Sequence, residues 1–127
     1  MGDITEYNKA VRDKIPEIIR SQGKQCTTKT VDDPTFLRYL EYKLLEELEE
    51  YLELKKPEEL ADLMEVILRV AELKGMSRED LEALRARKAD ERGGFANNQV
   101  LQSVEGEEKK RKFLLGTCER SDYVYED

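Results

Sequence analysis

The stretch DDPTFLRYLEYKLLEELEEYLELKKP, residues 32–57, decides the fold. Asp32-Asp33-Pro34 is a strong helix start. An Asp side chain accepts a hydrogen bond from the orphan N–H groups of a first turn, and Pro fits there because it has no N–H to leave unpaired. Phe36, Leu37, Leu40, Leu44, Leu48, Tyr51 and Leu52 then recur at three- and four-residue spacing, which is one face of a helix running to about Lys55. Pro57 opens a second long helix. Its Leu60, Leu63, Met64, Ile67, Leu68, Val70, Ala71 and Leu73 cover more of the circumference than a one-sided surface helix needs, so this helix is expected to be central. A chain of three or four helices has little with which to cover both its faces, and a homo-oligomer, a dimer or larger, is expected.

Outward from this pair the signals are shorter. Pro16 to Gln22, stopped by Gly23, predicts a short first helix, and Gly75 ends the helix that Pro57 begins. Ser77-Arg78-Glu79-Asp80 resembles a capping box and predicts a third long helix through Leu81, Leu84 and Lys88 to Gly93-Gly94. Gln25 to Val31, β-branched and alternating, predicts a strand or extended segment, and Val100 to Val104 a second short strand. Glu107 to Lys112 is a charge run of the kind found in solvated tails. The closing Ser121 to Asp127 carries no readable motif. The expected fold is all-α: a helical bundle of three long helices plus a short N-terminal helix, with minor extended segments. Residues 1–105 would form one domain, and 106–127 a charged C-terminal tail.

Length and composition narrow the function. The 127 residues suit one domain with a modest core; charged residues make up 40% and there is no Trp. A net charge of −7 argues against general binding to nucleic-acid polymers, which needs a basic surface. It leaves open a polyphosphate carried in as a metal complex, because the cation neutralises both sides locally. Cys26 and Cys118 stand far apart without CxxC spacing, so neither a zinc site nor a disulfide framework is expected. The start lacks the apolar run of a signal peptide and no segment is apolar enough for a membrane span, so the expectation is a cytoplasmic protein without membrane contact. Histidine is absent. Acid–base work near neutral pH therefore falls to carboxylates, Lys, Tyr or a metal-activated water.

Two acidic sets lie on the consecutive long helices. Glu46 and Glu50 are four apart, Glu47 and Glu50 three apart, and Glu59 and Asp62 three apart, so each set shares a face, and antiparallel packing would let the sets meet. Repulsion between like charges at these spacings is relieved by water or by a hard divalent cation such as Mg²⁺ or Mn²⁺, whose preferred ligands are oxygens. Acidic, solvated helix faces are the bland alternative in so Glu-rich a chain. Asp62 and Glu65 interrupt the apolar surface of their helix and are expected to be partly buried, more so than Glu58.

Glu46-Glu47-x-x-Glu50 followed by Glu59-x-x-Asp62 resembles the EExxE and ExxD metal motif of the MazG-like, all-α nucleoside triphosphate pyrophosphohydrolase superfamily. Tyr7-Asn8-Lys9-Ala10-Val11-Arg12-Asp13-Lys14-Ile15-Pro16-Glu17 is similar to the opening of its small phosphoribosyl-ATP pyrophosphohydrolase-like branch, and Lys88-Ala89-Asp90-Glu91-Arg92-Gly93-Gly94-Phe95 to the closing signature. The resemblance spans about Tyr7 to Leu101, and the segment between Glu50 and Glu59 is shorter than in many longer members.

The resemblance implies Mg²⁺-dependent hydrolysis of a nucleoside triphosphate between the α and β phosphates, to the monophosphate and pyrophosphate, in nucleotide-pool house-cleaning. Glu46, Glu47, Glu50, Glu59 and Asp62 would hold the metal, with catalysis resting on Glu46, Glu47 and Glu50. Arg12, Lys14, Lys88 and Arg92 lie inside the flanking signatures and are candidates for phosphate binding, with ion pairing to surface Glu as the alternative. Gly93-Gly94 suits a close phosphate approach or a helix stop, and Asn97 and Asn98 suit either base recognition or a turn. Phosphoribosyl-ATP hydrolysis in histidine biosynthesis is the rival enzymatic reading. A non-catalytic acidic helical interaction protein is the rival from another class. A kinase-like activity is disfavoured by the absence of a Gly-rich P-loop.

Overall fold

A computed structural model describes residues 2–106. These residues form four helices and, among them, no strand: α1 (Ile15–Ser21), α2 (Asp33–Leu54), α3 (Pro57–Leu73) and α4 (Arg78–Arg92). The all-α helical bundle expected from the periodicity, three long helices and a short N-terminal one, is what the described residues adopt. The charge run at 107–112 and the closing residues lie outside the described part.

Each helix end is set by local chemistry. Asp32 is the N-cap of α2 and its carboxylate accepts a hydrogen bond from Thr35 N at 3.0 Å. Hydrogen bonding from the Thr35 side chain, and then from its backbone N–H, holds the Asp32 carboxyl below its ordinary range. Lys55 closes α2 in the left-handed conformation with its N–H donating to Tyr51 O, and Lys56 leads directly into Pro57 at the start of α3. A two-residue link leaves room only for reversal, so α2 and α3 form an antiparallel hairpin. Gly75, at φ +87°, turns the chain out of α3, and Met76 N donates back to Ala71 O at 2.9 Å. Ser77 and Asp80 then form the expected box: Asp80 N donates to Ser77 Oγ at 3.0 Å while Ser77 N donates to an Asp80 carboxylate oxygen at 3.1 Å. Gly93 N donates to Ala89 O at 2.7 Å, which makes Gly93 a helix stop. Asn98 N reaches Phe95 O at 3.5 Å, placing the two Asn in a turn.

Among the described residues the helix pair in close contact is α2 with α3. Their seam holds the core: Leu40 and Val66 are buried with Ala10 of the N-terminal segment, and Phe36, Tyr39, Leu44, Val70 and Leu73 pack around them. Ala71 is also buried, yet among the described residues no large side chain is fully enclosed. The residues divide into two units with the boundary between Lys88 and Ala89, inside α4. The core and the acidic helices belong to the first unit. In the second, the end of α4 leads through Gly93 into the turn at Phe95–Asn98.

Two expectations are corrected. Gln25–Val31 and Val100–Val104 are not strands. β-Branched alternation favours an extended backbone, but a ladder needs a neighbouring strand, and none exists among the described residues. Glu65 is exposed, not partly buried; Asp62 is half-buried as expected.

Candidate metal centre

The hairpin brings the two acidic sets to its seam. Glu47 and Glu50 of α2 and Glu59 of α3 each offer a carboxylate oxygen, and these three oxygens lie within 4.8 Å of one another. Glu50 and Glu59 are half-buried, whereas Glu47 is only 6% exposed, the one buried charged residue among those described. It is buried because it falls on the core-facing side of α2, two turns beyond Leu40 and one turn beyond Lys43.

Glu47 is only half satisfied. One of its oxygens meets Lys43 Nζ at 3.2 Å, and the other, Oε2, is buried without a hydrogen-bond partner. Desolvation raises the proton affinity of this carboxyl, and Glu50 adds to the shift, while Lys43 opposes it. A buried, orphaned carboxylate oxygen beside two further carboxylates suits a hard cation with oxygen ligands.

The other two predicted ligands sit elsewhere. Glu46 is half-buried and accepts from Lys9 Nζ at 2.7 Å and from Lys43 Nζ at 3.4 Å. The Lys9 bond lowers the Glu46 pKa, and Glu46 in turn raises that of Lys9. Asp62 accepts from Arg12 Nη2 at 2.7 Å. The structure therefore groups Glu47, Glu50 and Glu59, and ties Glu46 and Asp62 to the N-terminal segment. Ala10, buried between Lys9 and Arg12 in sequence, anchors that segment against the hairpin.

Of the predicted phosphate-binding residues, Arg12 is engaged with Asp62, and Lys14, at the N-cap position of α1, is exposed. Both line a groove of about 960 Å³ whose wall also includes Lys43, Glu47 and Asp62. That volume lies in the range of small-molecule sites. Lys88 and Arg92 lie on α4.

Sequence reasoning missed Lys9 and Lys43. Lys43 was within reach of it, since its spacing of three and four to Glu46 and Glu47 puts all three on one helix surface. The pairing of Lys9 with Glu46 crosses 37 positions and has no local signal. Compared with family models, with curated proteins and with solved structures, the chain has no match in any of the three.

Proposed function

We propose that the chain is a divalent-cation-dependent nucleotide pyrophosphohydrolase, which splits a nucleoside triphosphate between the α and β phosphates in nucleotide-pool house-cleaning. The observation that carries the reading is the convergence of Glu47, with its buried unpartnered oxygen, on Glu50 and Glu59. The motif order from Tyr7 to Phe95 supports it as a resemblance.

The donor set fits Mg²⁺ or Mn²⁺: all oxygen, all carboxylate, with no nitrogen or sulfur among the three. Glu47, Glu50 and Glu59 would hold the cation. When bound, such a cation screens phosphate charge and makes a water a better nucleophile. The remaining work falls to this chain's own residues. A carboxylate oxygen of the acidic group takes the proton from the attacking water. The water oxygen joins one phosphorus of the α–β anhydride, and the bridging oxygen stays with the phosphate that departs. Arg12, Lys14 and Lys43 line the groove beside Glu47 and Asp62 and neutralise charge on the phosphates.

Pyrophosphate release from canonical and modified nucleoside triphosphates and from phosphoribosyl-ATP, with and without Mg²⁺, tests the reading. Release should depend on the metal and fall by ~100-fold or more in Glu50→Gln, at or beyond the loss typical of perturbed metal sites. A preference for phosphoribosyl-ATP would assign the histidine-biosynthetic substrate. No release from any of these substrates would refute the enzymatic reading.

A further inference from the structure

The N-terminal segment is fastened to the α2–α3 hairpin at few points. Residues 2–12 have no regular secondary structure and are exposed apart from Ala10. Among the described residues, the backbone of 2–11 makes no hydrogen bond to α2 or α3. The segment is held instead by the buried methyl group of Ala10 and by two ion pairs, one to each helix. Lys9 Nζ meets Glu46 Oε1 and Arg12 Nη2 meets Asp62 Oδ1, both at 2.7 Å.

The two carboxylates so engaged border the group formed by Glu47, Glu50 and Glu59. Glu46 adjoins Glu47 in sequence and stands one turn before Glu50, and Asp62 stands one turn after Glu59. Glu46 and, more weakly, Glu50 of the group itself raise the proton affinity of Lys9. The segment's cations therefore sit in the field of the carboxylates that a divalent ion would use. Both pairs are open to water: the side chains of Lys9 and Arg12 are 37% and 54% exposed. Pairs of that kind are weak and exchange partners readily. Lys43 differs, since it is more deeply placed and reaches Glu46 and Glu47 from the same helix.

We infer that Lys9 and Arg12 form a latch that a divalent cation releases: they hold the N-terminal segment on Glu46 and Asp62 while the acidic group is without such an ion, and let go when one binds. The inference rests on the reading of Glu47, Glu50 and Glu59 as a cation site. A dication attracts each neighbouring carboxylate with twice the charge of an ammonium or guanidinium at the same distance. The buried, unpartnered Oε2 of Glu47 offers it a position that neither Lys9 nor Arg12 fills. Glu46 and Asp62 then have a stronger attraction than their present partners supply. Ala10 stays buried in the core, so the segment is not lost and the exchange is local and reversible. Arg12, already on the wall of the groove, is set free there, which reconciles its pair with Asp62 and a role in gripping phosphate.

Calorimetric titration of the full chain with Mn²⁺ alone, together with the rate at which Lys9 is acetylated relative to Lys14, read by mass spectrometry, tests the latch without reference to any reaction. Lys9→Met/Arg12→Met should bind Mn²⁺ ~10-fold more tightly than the wild type, because Glu46 and Asp62 no longer have partners to give up. Lys14→Met removes a charge from the same segment at an exposed position and breaks neither pair, so it should change the affinity much less than Lys9→Met or Arg12→Met does. In the wild type, saturating Mn²⁺ should quicken acetylation of Lys9 severalfold relative to Lys14, and Glu47→Gln should abolish that response. Mn²⁺ binding that leaves Lys9 reactivity unchanged would overturn the latch and leave the cation site standing. So would a double variant with wild-type affinity, or an equal gain in Lys14→Met. Absence of Mn²⁺ binding in every chain would overturn the cation site and the latch together.

Discussion

Replacing Glu47 by Gln should stabilise the metal-free protein and remove its response to metal. In the folded chain Glu47 Oε2 is buried with no partner. An unsatisfied buried polar atom costs ~1–3 kcal/mol, with charged groups at the upper end. Glutamine keeps the shape and discards the charge. Its carbonyl accepts from Lys43, and its amide donates towards Glu50, reproducing the protonated carboxyl that burial favours. Some of the gain is lost with the Lys43 ion pair, although Lys43 retains Glu46 at 3.4 Å. The net expectation at pH 7 is a stabilisation of ~1 kcal/mol, or a rise in Tm of ~4–8 °C for a domain of roughly this size.

The pH dependence fixes the sign. The Glu47 pKa is raised in the folded state, so this group opposes folding once both states are ionised. The penalty is absent below the ordinary Glu range, grows as pH rises from there through the raised folded value, and is complete above it. Wild type and Glu47→Gln should therefore converge in acid, with the advantage of the variant opening as pH rises. Mg²⁺ reverses the order: at a hundred times Kd the wild type gains ~2.7 kcal/mol and the variant gains little. Thermal melts across pH, with and without Mg²⁺, measure all of this. A metal-free variant less stable than wild type at neutral pH would show that the Lys43 pair outweighs the orphaned oxygen. Equal Mg²⁺ shifts in both chains would remove Glu47 from the metal centre.

Arg12→Ala should cost no more than ~1 kcal/mol in a denaturant melt, because its pair with Asp62 is half exposed, yet should reduce pyrophosphate release by ~10-fold or more if the guanidinium grips phosphate. An unchanged rate would confine Arg12 to its ion pair. Asp32→Ala should lower Tm at neutral pH by removing the cap on α2. The Asp32 pKa is lowered in the folded state, so its contribution is present above the ordinary Asp value and lost as pH falls through the folded one; the variant and wild type should converge only in acid. A constant Tm gap down to low pH would place the effect elsewhere.

The helices were legible because what starts and stops them is local. Asp32, Lys56-Pro57, the Ser77–Asp80 pair and the glycines at 75 and 93 act within one turn of their own positions, and the apolar period reports the face between them. The two extended segments misled because β-branched composition reports only the preference of one chain, whereas a strand depends on a neighbour that no local pattern supplies. Glu65 misled for a different reason. It interrupts an apolar run in the linear sequence, but its angular position on α3 lies well away from the row that meets α2, so the run was broad without being continuous around the helix.

The acidic site divides along the same line. Glu47, Glu50 and Glu59 meet because their spacing on α2 and the two-residue link to α3 are short-range facts, and the hairpin does the rest. Glu46 and Asp62 carry equally suggestive spacing. Their partners come from 37 and 50 positions away, on a segment that is held by the burial of Ala10. Helical periodicity places a side chain on a face; it cannot say which distant cation reaches that face first. The same limit acts in reverse on the opposite side of the hairpin. The excess of apolar residues on α3 was plain in the sequence, but only the rotation of Leu60, Met64 and Ile67 relative to the core row tells which side of the hairpin they occupy. That side is opposite to the one the N-terminal segment covers, where Lys9 and Arg12 pair with Glu46 and Asp62.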